Sequence, residues 1–489
     1  MTHTPTPEQQ AIIEAAQNSA ANLAVVARAG AAKTSTLVMI AEALPRVQIL
    51  CLAFNKAIAV EMAERLPKNC EAKTLHSIGF AAWRNFIRCK TNIADRKMFE
   101  IVKSLIGELK DPEEKTIAFE ELADTLDIIR QAKAGGYLPE QFRKGTPYKS
   151  IDSDEDFFFS LPMEPSELQR ELVQAALIIS FQQALKGTLD FDDMIYCPAL
   201  SPVSWPTTQL LMVDEAQDLS ALNHLVLRKI VKRNRIIAVG DPFQAIYGFR
   251  GADTKSLPNL IQMFDMEELR LTVTFRCGKN IAANATWRAP DLQSPDWQID
   301  GEVHRPVVWR PEELQQGDAI ICRNNAPLFS MAIRLIKVGL LPEISGRDMV
   351  KPLSKIMNKL GSTKTPTKEA IAELAKWKEK QLSKARDGAE GKVHDTAACI
   401  KVIFEQTATI GDAIAYLEHL MSRDGRIHLM TGHKSKGLEF DRVWFLNQHL
   451  CRVKDHEQDA NLKYVIETRA KKYLAYVSSD SFEDDSLVE

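Results

Sequence analysis

VVARAGAAKTSTL, residues 25–37, places a lysine and a hydroxyl side by side just after an apolar run and a string of small residues. Residues 23–26 (LAVV) read as a buried strand, and from Ser35 onward apolar residues recur at helical spacing. A strand, a tight small-residue turn and a helix N-terminus together aim backbone N–H groups and the positive end of a helix dipole at one point, which suits a triphosphate. Lys33 is then expected to reach the β- and γ-phosphates and the Thr34 hydroxyl to ligate Mg2+ beside ATP. Ala29, Gly30, Ala31, Ala32 and Ser35 complete the candidate phosphate cradle. The pattern G-x-x-x-x-G-K-[ST] is incomplete, because Ala27 and Ala32 stand where glycine is expected. Taken alone, the stretch also reads as a plain turn with an exposed lysine.

A second stretch, QLLMVDEAQDLS (residues 209–220), narrows the choice. The apolar run at 210–213 ends in adjacent carboxylates, one to hold Mg2+ (Asp214) and one to activate a water for in-line attack (Glu215). A solvated acidic loop does not account for carboxylates placed directly after a fully apolar strand.

With these motifs the chain resembles the UvrD/Rep-like superfamily 1 DNA helicases, and in particular the compact branch that includes the F-box-containing DNA helicases. The resemblance runs in motif order over nearly the whole chain. It starts at TPEQQAII (6–13), passes through the phosphate loop, and continues with LAFNKAIAVEMAERLP (52–67), KTLHSIGFAAW (73–83), LDFDDMIY (189–196) and the DEAQD strand. VGDPFQAIYGFRGA (239–252), LTVTFRCGKNIAANA (271–285), IHLMTGHKSKGLEFDRVWFL (427–446) and NLKYVIETRAKKYL (461–474) follow. The family carries alanine at the position of Ala27, so only Ala32 departs from its phosphate loop.

The resemblance implies roles. Gln9 looks like the adenine-reading glutamine, and Phe275 and Glu439 fall where the family contacts base and ribose. Gln244 corresponds to a γ-phosphate sensor, and Arg276 and Arg469 lie in the two arginine-finger segments. A planar, permanently charged guanidinium suits charge developing on a transferred phosphoryl group, although the residue pattern alone would also permit surface salt bridges. Phe54, Asn55, His76, Tyr247, Phe249, Thr431 and His433 fall in segments that contact single-stranded DNA. The alternative for Tyr247 and Phe249 is core packing. Two irregularities stand out. A left-handed Ala32 would strain the loop, though the completeness of the catalytic set predicts an ordinary right-handed backbone there. Glu467, where relatives carry an apolar residue, is placed to pair with Arg469.

The implied fold is α/β, with two RecA-like parallel-sheet cores of the P-loop NTPase type, each interrupted by a mainly helical insertion. The first core is expected over 1–84 and 187–272, with insertion 85–186. The second is expected over 273–350 and 424–480, with a short basic insertion 351–423, before an acidic tail 481–489. In the second insertion nine lysines from Lys351 to Lys384, with Arg386, face only Glu369, Glu373 and Glu379. That lopsidedness reads either as a duplex-phosphate surface or as a solvated helical face.

The chain has 489 residues, a net charge of −3 and eight scattered cysteines without a C-x-x-C pair, which speaks against a bulk polyanion binder, a disulfide framework and a zinc site. No apolar run is long enough to span a membrane, so a monomer in the cytoplasm of a bacterial or phage-infected cell is expected. The resulting expectation is an ATP- and Mg2+-dependent, 3′-to-5′ helicase acting on single strands and single-strand/duplex junctions, with replication or recombination proteins as partners. The alternative is a degenerate, weakly hydrolysing DNA-binding module.

Overall fold

The apolar run at 23–26 lies within β1 (Asn22–Ala27), whose residues Leu23, Ala24 and Val25 are fully buried. A strand buried on both faces calls for strands on either side and helices above and below, the arrangement of parallel α/β sheets. The computed structural model describes residues 4–53, 55–232, 234–248, 255–346, 349–385 and 390–483. It divides into two units, Met1–Ala27 with Ala32–Leu271, and Arg28–Ala31 with Thr272–Glu489.

In the first unit β1 is followed by β2 (Ile49–Ala53), β3 (Cys70–Thr74), the short pair β4 (Asn92–Ile93) and β5 (Thr188–Leu189), then β6 (Leu210–Val213), β7 (Arg235–Gly240) and β8 (Met266–Leu271). Six of them form one sheet in the order β3-β2-β6-β7-β1-β8, every pairing parallel. The inner strands β2 and β6 are buried throughout, whereas the edge strands carry Glu71 and Lys73 on β3, and Glu267, Glu268 and Arg270 on β8. Charged edges discourage pairing with a further strand.

Helices fill the interval between β4 and β5, the longest being Glu167–Leu185, capped by Ser166 with Gln169 in a reciprocal capping box. A buried ionic cluster ties this interval to the LDFDD segment. Lys97 Nζ meets Asp193 at 2.6 Å and Ser180 O at 2.7 Å, while Lys133 Nζ meets Asp190 at 2.5 Å and Asp193 at 2.8 Å. Burial works against the Lys133 ammonium, but Asp193 and Asp190 outweigh it and raise its pKa. Removing one partner of such a pair strands the other charge and costs roughly 3–5 kcal/mol.

The second unit repeats the plan with β9 (Glu302–His304), β10 (Ala319–Cys322), β11 (Pro342–Ile344), β12 (Ile427–Thr431), β13 (Phe440–Leu446) and β14 (Ala470–Val477). Their order is β11-β12-β10-β13-β14-β9, again all parallel. Helices Val350–Lys359, Thr367–Leu382, Glu390–Phe404 and Ile410–Ser422 separate β11 from β12. Their apolar sides, among them Leu353, Met357, Leu374 and Ile400, join one core with Ile320, Leu429 and Trp444 of the sheet. Among the described residues no helix is long and apolar enough to cross a membrane.

Candidate functional site

At the end of β1 the chain turns into the helix Lys33–Ala43, which starts two residues before Ser35, so that Lys33 and Thr34 occupy its first turn, where backbone N–H groups have no intrahelical acceptor. The turn is made by left-handed residues. Gly30 has φ 74°, and Ala32, the N-cap, has φ 55° and ψ 41° with no side-chain cap. The right-handed backbone expected at Ala32 is therefore not found. Reversing from strand to helix over so few residues requires left-handed steps, and here one falls on a residue with a Cβ.

Within the second unit, which includes Arg28–Ala31, Arg28 forms a two-pronged ion pair with Asp291 at 2.6 and 2.9 Å, Ala29 N donates to the Tyr464 hydroxyl at 3.0 Å and Phe275 N donates to Gly30 O at 2.9 Å. A Cβ on Gly30 would stand 2.5 Å from Thr274 Oγ1, so glycine is required there by space as well as by φ.

β6 delivers the carboxylates. Asp214 N donates to Leu52 O at 3.0 Å, extending the β2 pairing by one residue, and the Thr34 hydroxyl donates to Asp214 Oδ2 at 2.9 Å. Glu215 turns out of the sheet with φ 50° and sets its carboxylate 3.2 Å from Lys33 Nζ. A second left-handed side-chain-bearing residue in the same cluster is the kind of strain that collects at working sites. Gln217 links the parts. Its amide donates to Glu215 at 2.5 Å and accepts from Asp241 N at 3.0 Å, while Gln244 donates to Asp241 at 2.7 Å.

Burial, then the neighbouring Glu215, push the Asp214 carboxyl upward, against the pull of Lys33 and the Thr34 hydroxyl. At Lys33, burial opposes the charge, but Glu215, Asp241 and Asp214 outweigh it and raise the pKa. A hydroxyl and a carboxylate oxygen bonded to each other, beside a second carboxylate, form a hard-oxygen donor set that fits Mg2+. Gln9 is buried. Its side chain closes a capping box with Thr6 and donates to Thr36 Oγ1 at 3.0 Å, on the phosphate-loop helix.

The arginines belong to the second unit. Arg276 Nε donates to Glu439 at 2.9 Å, and Lys471 lies 3.8 Å from the same carboxylate. Arg469 is buried, with Nε on Val465 O at 2.9 Å and one terminal nitrogen on Leu438 O at 3.0 Å. The expected pairing of Glu467 with Arg469 is absent. Glu467 is fully buried and accepts from Trp287 Nε1 at 2.8 Å, from Lys463 and from the Tyr476 hydroxyl. A carboxylate that deep in the unit is retained where several donors satisfy it, and these three lie nearer than the guanidinium two residues on.

Of the DNA candidates, Phe54 and Phe249 lie outside the described residues. Asn55 caps the helix Lys56–Arg65, accepting from Ile58 N at 2.9 Å. His76 stacks on Phe191, ring centroids 4.3 Å apart and 19° between planes, and burial lowers its pKa. His76 and Tyr247 line one cavity of about 190 Å3 with Asp192, Asp218 and Asn223. Thr431 caps the short helix Gly432–Ser435, on which His433 lies half-buried. Sequence reasoning assigned no role to Phe191, Gln217 or Asp241. Phe191 had a signal, a large apolar residue between the acidic residues of LDFDD, and it is 59% exposed.

A parallel sheet with a lysine and threonine at the first turn of the helix after its inner strand β1, facing two carboxylates from β6 two places away, defines a P-loop nucleotide-binding core. A second parallel sheet that carries candidate arginines makes the chain a pair of RecA-like cores. Residues 6–265 match the UvrD/REP helicase N-terminal domain and residues 348–481 the UvrD-like helicase C-terminal domain, and the chain belongs to this family. It is 25% identical to F-box DNA helicase protein 1 of Schizosaccharomyces pombe, over 96% of this chain and 57% of that protein, and 25% identical to F-box DNA helicase 1 of Gallus gallus, over 96% and 48%. A 29% match to DNA helicase IV of Escherichia coli covers 56% of this chain and 46% of that protein. The chain thus spans about half the length of the curated relatives it matches.

Proposed function

We propose that the chain is an ATP-dependent DNA helicase that steps 3′ to 5′ along single-stranded DNA. The observation that carries this reading is the joining of Lys33 and Thr34 to Glu215 and Asp214 at 3.2 and 2.9 Å. Lys33 and the N–H groups of the helix start hold the β- and γ-phosphates. Thr34 and Asp214 would hold Mg2+, which when bound neutralises phosphate charge. Glu215, kept in place by Gln217, accepts the proton of the attacking water, and Gln244 reports the γ-phosphate through Asp241 and Gln217. Arg276 and Arg469 supply positive charge to the transferred group. Arg469 does so by exchanging a main-chain carbonyl for a phosphoryl oxygen. Gln9 reads adenine, Phe275 stacks on it and Glu439 takes the ribose.

Single-stranded DNA is held by the His76–Phe191 stack and by Tyr247, with Asn55, Thr431 and His433 near phosphates. Base stacking is worth roughly 1–3 kcal/mol per base and is indifferent to sequence, as a motor requires. Hydrolysis then drives the relative movement of the two cores that advances the chain. The strain at Ala32, roughly 1–2 kcal/mol, is too small to silence a site whose other groups are in place.

The test is ATP hydrolysis with and without single-stranded DNA, together with unwinding of duplexes bearing a 3′ or a 5′ tail. DNA-stimulated turnover and preference for the 3′ tail are expected. A rate indifferent to DNA refutes the motor, and unwinding from the 5′ tail alone refutes the polarity.

A further inference from the structure

Trp297 is 70% exposed and lies against Phe275, itself 36% exposed, with ring centroids 6.3 Å apart and 23° between the planes. An isolated surface tryptophan needs no explanation. This one is held in position. The segment that bears it is laced to the Phe275 segment on both sides: Thr274 N donates to Gln293 O at 2.7 Å, and Lys279 N to Ile299 O at 2.9 Å. Gln298, the next residue after Trp297, donates its amide to Phe275 O itself at 3.1 Å. Phe275 N in turn donates to Gly30 O of the phosphate loop at 2.9 Å. Two near-parallel, solvent-facing rings are thus fixed beside the segment that would carry phosphates.

We propose that Trp297 is the second aromatic surface of a nucleobase site, extending that of Phe275 and favouring the larger purine ring over a pyrimidine. Flat, delocalised and uncharged rings are the ligand class that stacked aromatics select. The inference rests on the reading that this chain binds ATP with its base at Phe275. It adds a residue that none of the helicase motifs contains.

Calorimetric titration of the full chain with MgATP, MgCTP and the base-free magnesium tripolyphosphate tests it independently of turnover. Trp297→Ala is expected to weaken ATP about tenfold, equivalent to about 1.4 kcal/mol. Tripolyphosphate affinity should not change, the ATP-to-CTP preference should narrow, and Trp297→Phe should restore most of the loss. Equal weakening of ATP and tripolyphosphate assigns Trp297 a structural role and overturns the proposal. So does unchanged ATP affinity, whether or not single-stranded DNA binding falls. If Phe275→Ala weakens ATP and Trp297→Ala does not, the proposal alone fails. If the unaltered chain does not bind ATP, the nucleotide reading beneath it fails as well.

Discussion

Replacing Ala32 by glycine is expected to stabilise the phosphate-loop unit, because Ala32 holds φ 55° and ψ 41° at a helix N-cap without a side-chain cap. A left-handed alanine costs roughly 1–2 kcal/mol against a right-handed one, and glycine carries almost none of that strain. Glycine is also the better N-cap of the two. Opposing this, glycine returns about 0.4–1 kcal/mol of chain entropy to the unfolded state. The balance favours Ala32→Gly by about 0.5–1 kcal/mol, which in urea unfolding appears as a higher midpoint with an unchanged slope. If the strain also limits phosphate binding, ATP affinity or turnover rises, by at most about tenfold for roughly 1.4 kcal/mol. A fall in the midpoint is the result for a glycine placed in a right-handed helix start, and it refutes the argument.

Lys33→Ala is expected to abolish ATP turnover in a steady-state assay and to leave single-stranded DNA affinity within about twofold, since the lysine touches phosphates rather than bases; equal loss of both points to misfolding. Glu215→Gln keeps its size but cannot take a proton, so it should bind MgATP and turn over at least about a hundredfold more slowly, and normal turnover removes Glu215 from the mechanism. Tyr247→Ala should cost roughly 1–3 kcal/mol of DNA affinity with little sequence dependence in fluorescence anisotropy, whereas a lower melting temperature with unchanged affinity assigns the ring to packing. Lys351, Lys355 and Lys359 share an exposed face of the helix Val350–Lys359. Replacing all three by glutamine should flatten the salt dependence of junction binding by about 0.9 per lost phosphate contact, and an unaltered slope makes this a solvated face.

The first parallel sheet was legible because apolar runs in it end in the residues that do chemistry, as LLMV does before Asp214, whereas the second was implied by the order of the family's motifs. Strand ends on one edge of such a sheet, here those of β1 and β6 with β7 between them, also bring Thr34 and Asp214 together, although 180 residues separate them. Backbone conformation at Ala32 was not legible, since alanine carries no signal for a left-handed turn and the loop's closure imposes it. The partners of Glu467 were hidden for another reason. Two of them, Trp287 and Tyr476, come from elements on either side of the helix Glu457–Glu467, and only their packing shows that the carboxylate is spoken for. Lys97 and Lys133 likewise carry no sign of burial in the sequence, and only the fold sets them on Asp190 and Asp193.

The strand order of the first unit also sets a schedule. β1, which carries the phosphate loop, is flanked only by β7 and β8, so that Leu23 waits for Ile237 on one side and Glu267 on the other. At typical elongation rates a ribosome needs roughly 10–50 s to add the intervening chain. During that time the LAVV run and the apolar side of Lys33–Ala43 have no lasting shelter. A nascent chain stalled before residue 235 is therefore expected to be a client of chaperones and unable to retain nucleotide. One extended to the end of β8 and clear of the exit tunnel has every strand that the first site requires.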